Sequence, residues 1–330
     1  MRDKLVCGIG NALVDSEYKV NDKEISELSL TKGCMELNDH HNHMKLSSHL
    51  KETHGTVKMM PGGSVANSLY TLSQFGIDVS FVGRVSDDNT GDSFIKSLKD
   101  VGIKTCIKQV ETGITGECLV LITPDHERTM YTHLGVSSDL NKNDIDINAI
   151  KESEYLLIEG YLVTSEQTNA AALHALEIAS ENETKKIITL SDPNVIKFFR
   201  ENMMSLLQKN IDIIFCNKQE AMNISMKDNI ENAIDFLKNY SSEIIITSGD
   251  EGAHVVCNNE RAHVVAENVS PVDLTGAGDM FLASYIFAKI NQKNLSDCIK
   301  FANMCAGDVI QKYGAKLEND DEYRRLYEKL

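Results

Sequence analysis

Runs of consecutive apolar residues recur along the chain at 5–11, 79–85, 155–161, 186–192, 212–217 and 243–249. Several lack the alternation of a half-exposed strand, which suits parallel strands covered on both faces by helices. Between them the apolar period changes to that of a helix. In SVANSLYTLSQFG, Val65, Leu69, Leu72 and Phe75 fall on one helical face, and Gly76 ends the run. The stretches 164–180, 195–208, 230–240 and 295–313 carry the same period, and 280–288 is apolar almost throughout. Strand–helix alternation predicts an α/β fold with right-handed crossovers. Two segments break the rhythm. Residues 12–37 read as short strands, with Val14, Ser16, Tyr18 and Val20 on one parity; 105–134 read as a hairpin, ECLVLIT and RTMYTHL around the turn PDHE. Together they predict a small discontinuous β lid (12–37 and 105–134) on a nucleotide-binding and catalytic body (1–11, 38–104 and 135–330).

At 42% hydrophobic residues the chain can bury a sizeable core. Its net charge of −16 counts against nucleic acid or an anionic membrane as partner, but leaves room for a small anionic ligand. Eight scattered cysteines without a C-x-x-C pair suggest reduced thiols. No leader pattern opens the chain and no run reaches the ~20 apolar residues of a membrane helix, so a cytoplasmic protein is expected. The tail ENDDEYRRLYEKL reads as a solvated helix. So does the stretch with His40, His41, His43 and His49, whose histidines lack metal-ligand spacing. Asp87, Asp88 and Asp92 suit a helix cap.

Gly8-x-Gly10 follows the first strand, but Leu13 stands where a dinucleotide fingerprint has its third glycine, and no Walker-type loop exists. The stretch VDLTGAGDMF carries more. A glycine turn at a helix start leaves backbone N–H groups unpaired at the positive end of the helix dipole, an anion site that needs no lysine. Asp279 faces the same place. A carboxylate there would repel phosphate unless it takes a proton from a group attacking that phosphate, so the pair suggests phosphoryl transfer.

DLTGAGDMF resembles the C-terminal signature of the ribokinase-like (PfkB) carbohydrate and nucleoside kinases. PGGSVANS resembles the family's substrate motif, with Gly76 and Gly83 following at the expected intervals. NKQE, TSGDEG and SDPN resemble its N-x-x-E, T-x-G-x-x-G and D-P-N segments, in the family's order. The resemblance implies a three-layer α/β/α, mostly parallel sheet with a β lid. It implies Asp279 as catalytic base and Gly276, Ala277 and Gly278 as the anion hole. ATP would lie against Asn217, Thr247, Gly249, Gly252 and Asn303, with Mg2+ held by Glu220 through water, in keeping with phosphoryl transfer by positioning and charge neutralisation.

GNALVD places Asn11 and Asp15 as in the adenosine-kinase-like branch. A carboxylate accepts two donors at once, as a ribose 2′,3′ diol requires. Gly62, Gly63 and Asn67 would complete the acceptor site. The expectation is an ATP-dependent kinase acting on the 5′-hydroxyl of a purine nucleoside, adenosine for one, as a monomer or a homodimer through the lid. A sugar kinase of the same family is the alternative, and a sensor without turnover is a third class. Leu274 replaces the family threonine, which counts against a K+ site, and the arginine after D-P-N is missing at Ile196 and Lys197. Arg128 reads as a surface ion pair that could reach a phosphate; Tyr18 and Tyr131 read as lid core. Glu159, in the strand end LLIEGY, is a site candidate because burial of an unpaired charge is costly.

Overall fold

The structure, a computed structural model, describes residues 6–330 except 34, 56, 58, 126 and 259. The chain enters through β1 (Val6–Ile9), buried at every position, and leaves at once for a second layer in β2 (Leu13–Lys19), where buried and half-exposed residues alternate. Where short strands are expected, a capping box between Asn21 and Glu24 instead starts helix α1 (Asp22–Glu27). Then come β3 (Met35–Leu37), α2 (His40–His54), β4 (Met59–Gly62) and α3 (Ser64–Gln74), closed by Gly76 at φ +78°. The chain continues through β5 (Val79–Ser86), α4 (Asn89–Asp100), β6 (Lys104–Val110), β7 (Gly116–Ile122) and β8 (Arg128–His133). Asp88 caps α4 through Gly91 N–H, as its sequence suggests.

Strand–helix alternation resumes with α5 (Ile147–Glu152), β9 (Tyr155–Ile158), α6 (Glu166–Glu181), β10 (Lys185–Thr189), α7 (Pro193–Leu207), β11 (Ile211–Asn217) and α8 (Lys218–Ser225). After α9 (Ile230–Leu237) come β12 (Ser241–Thr247), β13 (Ala253–Cys257) and β14 (Glu260–Val264), and then three helices, α10 (Ala277–Ile290), α11 (Leu295–Val309) and α12 (Asp320–Tyr327). Nine strands form one sheet in the order β14-β13-β12-β11-β10-β9-β1-β5-β6, parallel except for the β12–β13–β14 edge; five form another, β3-β8-β7-β2-β4.

Two strands fall on the other side of the expected boundary. Residues 59–62 pair with β2 in the small sheet, whereas 104–110 pair with β5 at the edge of the large one. β4 is only four residues long and β6 has no fully buried position, so the partner of each is set by tertiary contact, not by its own pattern.

The residues of β1 divide between the two faces. Val6 joins a core with α3, α10 and α11; Cys7 and Ile9 join another with α6 and α7. This makes three layers. In the first core Phe75 stacks on Phe287 at 4.7 Å, and Tyr323 meets Phe75 edge-on at 5.9 Å. Tyr323 and Leu326 are buried, so the charged tail is an amphipathic helix docked on the body rather than a fully solvated one. The apolar α10 is pinned by a buried carboxylate: Tyr285 Oη and Lys289 Nζ both donate to Glu243 on β12 at 2.6 Å. In α2, His40, His41 and His49 face solvent, but His43 is buried and pairs with Glu117 of β7 at 3.2 Å. The cysteines among the described residues are free, and Cys34 lies outside them. No described helix is long and apolar enough to cross a membrane.

Candidate active site

The glycine stretch opens α10. Gly276 is its N-cap, in the left-handed region at φ +70°, and no side chain caps the turn. The first N–H groups therefore have no side-chain acceptor and suit an anion. A side chain at 276 would strike Ala315, whose Cα lies 2.6 Å from the Cβ position. Gly278 packs instead against Phe215 near the end of β11. Asp273 anchors the turn from before. One oxygen accepts from Thr275 N–H at 3.0 Å and from its hydroxyl; the other accepts from Gly314 N–H at 2.7 Å. Leu274, between them, is 55% exposed and offers no side-chain oxygen where the resemblance expects threonine.

Asp279 is held from α3. Ser64 Oγ donates to one carboxylate oxygen at 2.6 Å and Asn67 Nδ2 to the other at 3.0 Å. Ser68 Oγ donates to its backbone carbonyl at 3.2 Å. Burial pushes the Asp279 carboxyl above its usual range, and the hydrogen bonds from Ser64 and Asn67 pull against that. Helical spacing accounts for the arrangement, because Ser64, Asn67 and Ser68 lie on one face of the first turns of α3. Ser64 has no role in the sequence reading. Its signal is its place three residues before Asn67.

Asn11 leads from β1 toward β2, and both ends of its amide are engaged: Nδ2 donates to Glu159 at 3.0 Å and Oδ1 accepts from Ser137 at 3.1 Å. Glu159 also accepts from Val65 N–H at 3.3 Å, so this buried carboxyl ties the end of β9 to the start of α3. Burial raises it to about 7. Asp15 lines the same pocket, and burial pushes it up to about 6 against the pull of Arg128 and Lys316. Gly62 lies against it; a Cβ there would sit 2.2 Å from Asp15 Oδ2. Gly63, at φ +89°, turns the chain where a Cβ would meet the Asn11 carbonyl at 2.5 Å. Gly62→Ala is therefore expected to displace the Asp15 carboxylate, raising the acceptor KM about tenfold or more with ATP KM little changed; initial rates against both substrates check it.

The rest of the wall comes from the small sheet: Leu13, Met35, Leu37, Val120, Met130 and Leu134. Arg128 lines the pocket too and is only 12% exposed, so it is not a surface ion pair. Its Nε lies 3.3 Å from Asp273 and a terminal nitrogen 3.6 Å from Glu17. Tyr18 is buried in the core of the small sheet and Tyr131 packs beside that core, both outside the pocket lining.

The residues expected around ATP lie beyond this pocket, at the ends of neighbouring strands. Asn217 and Thr247 are register partners on β11 and β12. Asn217 and Glu220 form a reciprocal cap, with Asn217 N–H and Nδ2 both donating to the carboxylate at 3.0 and 2.7 Å. Burial raises Glu220 to about 8. Gly249 and Gly252 turn the loop at φ +59° and +84°. Asn303 on α11 donates to the Val264 carbonyl at 2.9 Å, which fixes helix to strand. In the D-P-N segment, Asp192 caps α7 and Ser191 reaches the pocket lining.

A family model described as pfkB family carbohydrate kinase matches residues 34–322. The chain belongs to that family. The crystal structure of adenosine kinase from Sinorhizobium meliloti matches with a TM-score of 0.91 and 28% identity, over 98% of this chain and 99% of that one. A probable sugar kinase protein from Rhizobium etli matches with a TM-score of 0.91 and 28% identity, over 100% of this chain and 98% of that one. A ribokinase from Staphylococcus aureus is 28% identical over 273 residues, 78% of this chain and 84% of the relative. This pfkB-family chain is thus a phosphotransferase with an alcohol group as acceptor, in the ribokinase-like fold, and ATP is the co-substrate of its family.

Proposed function

We propose that this pfkB-family kinase transfers the γ-phosphate of ATP to the 5′-hydroxyl of a purine nucleoside such as adenosine. One observation carries the choice of acceptor. The pocket joins a carboxylate suited to a vicinal diol, Asp15, to an apolar wall of Leu, Met and Val side chains from the small sheet. A free sugar carries hydroxyls on every side and would leave several facing that wall without partners. A nucleoside puts its diol on the carboxylate and its base against the apolar surface. The small sheet then acts as lid and base-binding wall together.

In the transfer step, an Asp279 oxygen takes the proton of the acceptor hydroxyl. That oxygen attacks the γ-phosphorus as the bond to the ADP oxygen breaks, and the N–H groups of the α10 turn hold the migrating group. The products are a phosphate ester and ADP, and the proton on Asp279 passes to solvent. Ser64 and Asn67 keep the carboxylate aimed. Mg2+ would be held by phosphate oxygens and, through water, by Glu220, where it supplies charge neutralisation. The donor chemistry fits such an ion: Glu220 offers a single carboxyl in the first turn of α8, and Mg2+ usually takes one or two carboxylates together with phosphate and water.

The test is ADP release with Mg-ATP against adenosine, inosine, guanosine, cytidine, ribose, fructose and 2-keto-3-deoxygluconate. Turnover with one nucleoside far above the sugars is the expected result. Turnover with a sugar alone would keep the kinase and replace the acceptor.

A further inference from the structure

The segment Gly314–Ala315–Lys316 follows α11 and belongs to none of the motifs, yet each residue touches the site. Gly314 N–H donates to Asp273 Oδ2 at 2.7 Å, Ala315 fills the space beside Gly276, and Lys316 Nζ donates to the Pro61 carbonyl at 2.6 Å. The ammonium also lies 4.9 Å from the centre of the Tyr70 ring. Pro61 immediately precedes the Gly62–Gly63 turn. Three consecutive residues thus span from the anion-hole turn to the acceptor turn. We propose that Lys316 is a positioning residue for phosphoryl transfer, a fixed cation that braces these two turns against each other and faces the carboxylates of Asp15 and Asp279.

Position explains why a lysine stands here. The pocket is lined by Asp15 from β2, Asp279 from α10 and Tyr161; Glu159 at the end of β9 lies behind the lining within electrostatic reach of Asp279, and substrate phosphate would add further negative charge. Two cations oppose them, Arg128 from β8 and Lys316 from the body. Arg128 is already paired with Asp273 and Glu17. Lys316 is held by a neutral carbonyl and a ring, so its charge is left to act on Asp15 and Asp279 through space. Burial pulls its ammonium down to about 8 while those two carboxylates pull it back. A positive charge near Asp279 favours the ionised carboxylate, the form that accepts the proton.

The proposal rests on Asp279 as the base, so the experiment separates the two. Lys316→Met and Lys316→Arg are compared with the parent chain, using the acceptor of highest turnover from the panel above. For Lys316→Met, kcat is expected to fall about 10–100-fold with ATP KM nearly unchanged, and the acid limb of the pH–rate profile to move up by about one unit, because removing a cation raises the pKa of the base. Lys316→Arg should restore the limb and most of the rate. A thermal transition lowered in Lys316→Met with an unmoved acid limb would overturn the proposal and leave Lys316 as packing. A second readout needs no acceptor: with isotope-labelled lysine, one side chain should titrate near 8, vanish in Lys316→Met and titrate lower in Asp279→Asn and in Asp15→Asn. A resonance that neither carboxylate variant moves would also overturn it. Full turnover in Asp279→Asn would instead remove the base, a failure distinct from that of Lys316.

Discussion

Asp279→Asn is expected to lower kcat by ~10²–10⁴-fold or more, the usual loss when a general base is removed. The substitution keeps the shape, and Ser64 can still donate to the remaining oxygen, so the fold and acceptor binding should largely survive. An amide cannot take the hydroxyl proton, and it sets an NH2 against a donor, since one oxygen now accepts from Asn67. ADP release under saturating Mg-ATP reads the loss, and calorimetric titration with the acceptor reads the surviving affinity. Unchanged turnover would take the carboxylate out of the mechanism. Binding without ATP consumption in the parent chain as well would mark a sensor.

Asp15→Asn should act on the other substrate. A hydrogen bond to a charged group contributes about 1.5–3 kcal/mol, and a diol makes two, so kcat/KM for the acceptor should fall about 10²-fold or more while ATP KM stays put. The pH dependence follows from the ionised form being the one that accepts both hydroxyls. With its carboxyl pushed up to about 6, acceptor affinity in the parent chain should be full above that value and decline as pH falls through it. The effect on stability runs the other way. A carboxyl whose folded pKa lies above its unfolded value binds more protons folded than unfolded, so its contribution to stability falls as pH rises from the unfolded value, 3.8, to about 6. The neutral variant avoids that penalty and should melt higher than the parent at pH 7, so weaker binding would accompany a higher Tm. A lower Tm with intact acceptor affinity would show Asp15 to be structural.

The parts of the fold legible in the sequence are those with a long, self-sufficient pattern. The buried run of β11 and the one-sided apolar face of α3 announce themselves within a dozen residues. So does the glycine turn at Gly276, because its chemistry sits in consecutive residues. What the sequence hides is decided across long separations. Ser64 and Asn67 meet Asp279 from more than two hundred positions away. Arg128 finds Asp273, and Lys316 finds Pro61, through contacts with no local signature. The sheet assignments of β4 and β6 fail for the same reason: β4 is only four residues long and β6 has no fully buried position, so neighbours choose their partners. His43 looks like its exposed neighbours until α2 docks and buries it against Glu117.

Two of the four crossings between the sheets bear on how such a protein can change. The chain passes from β1 to β2 through Asn11 and Ala12, and from β4 to α3 through Gly63. In the proposed function the groups that would handle phosphate stand on the body, whereas the acceptor would meet these crossings and the wall of the small sheet. New side chains on that wall would present a different cargo to the same glycine turn, leaving the large sheet and its helices untouched. Diversification of the acceptor is, in this architecture, a matter of resurfacing one small sheet.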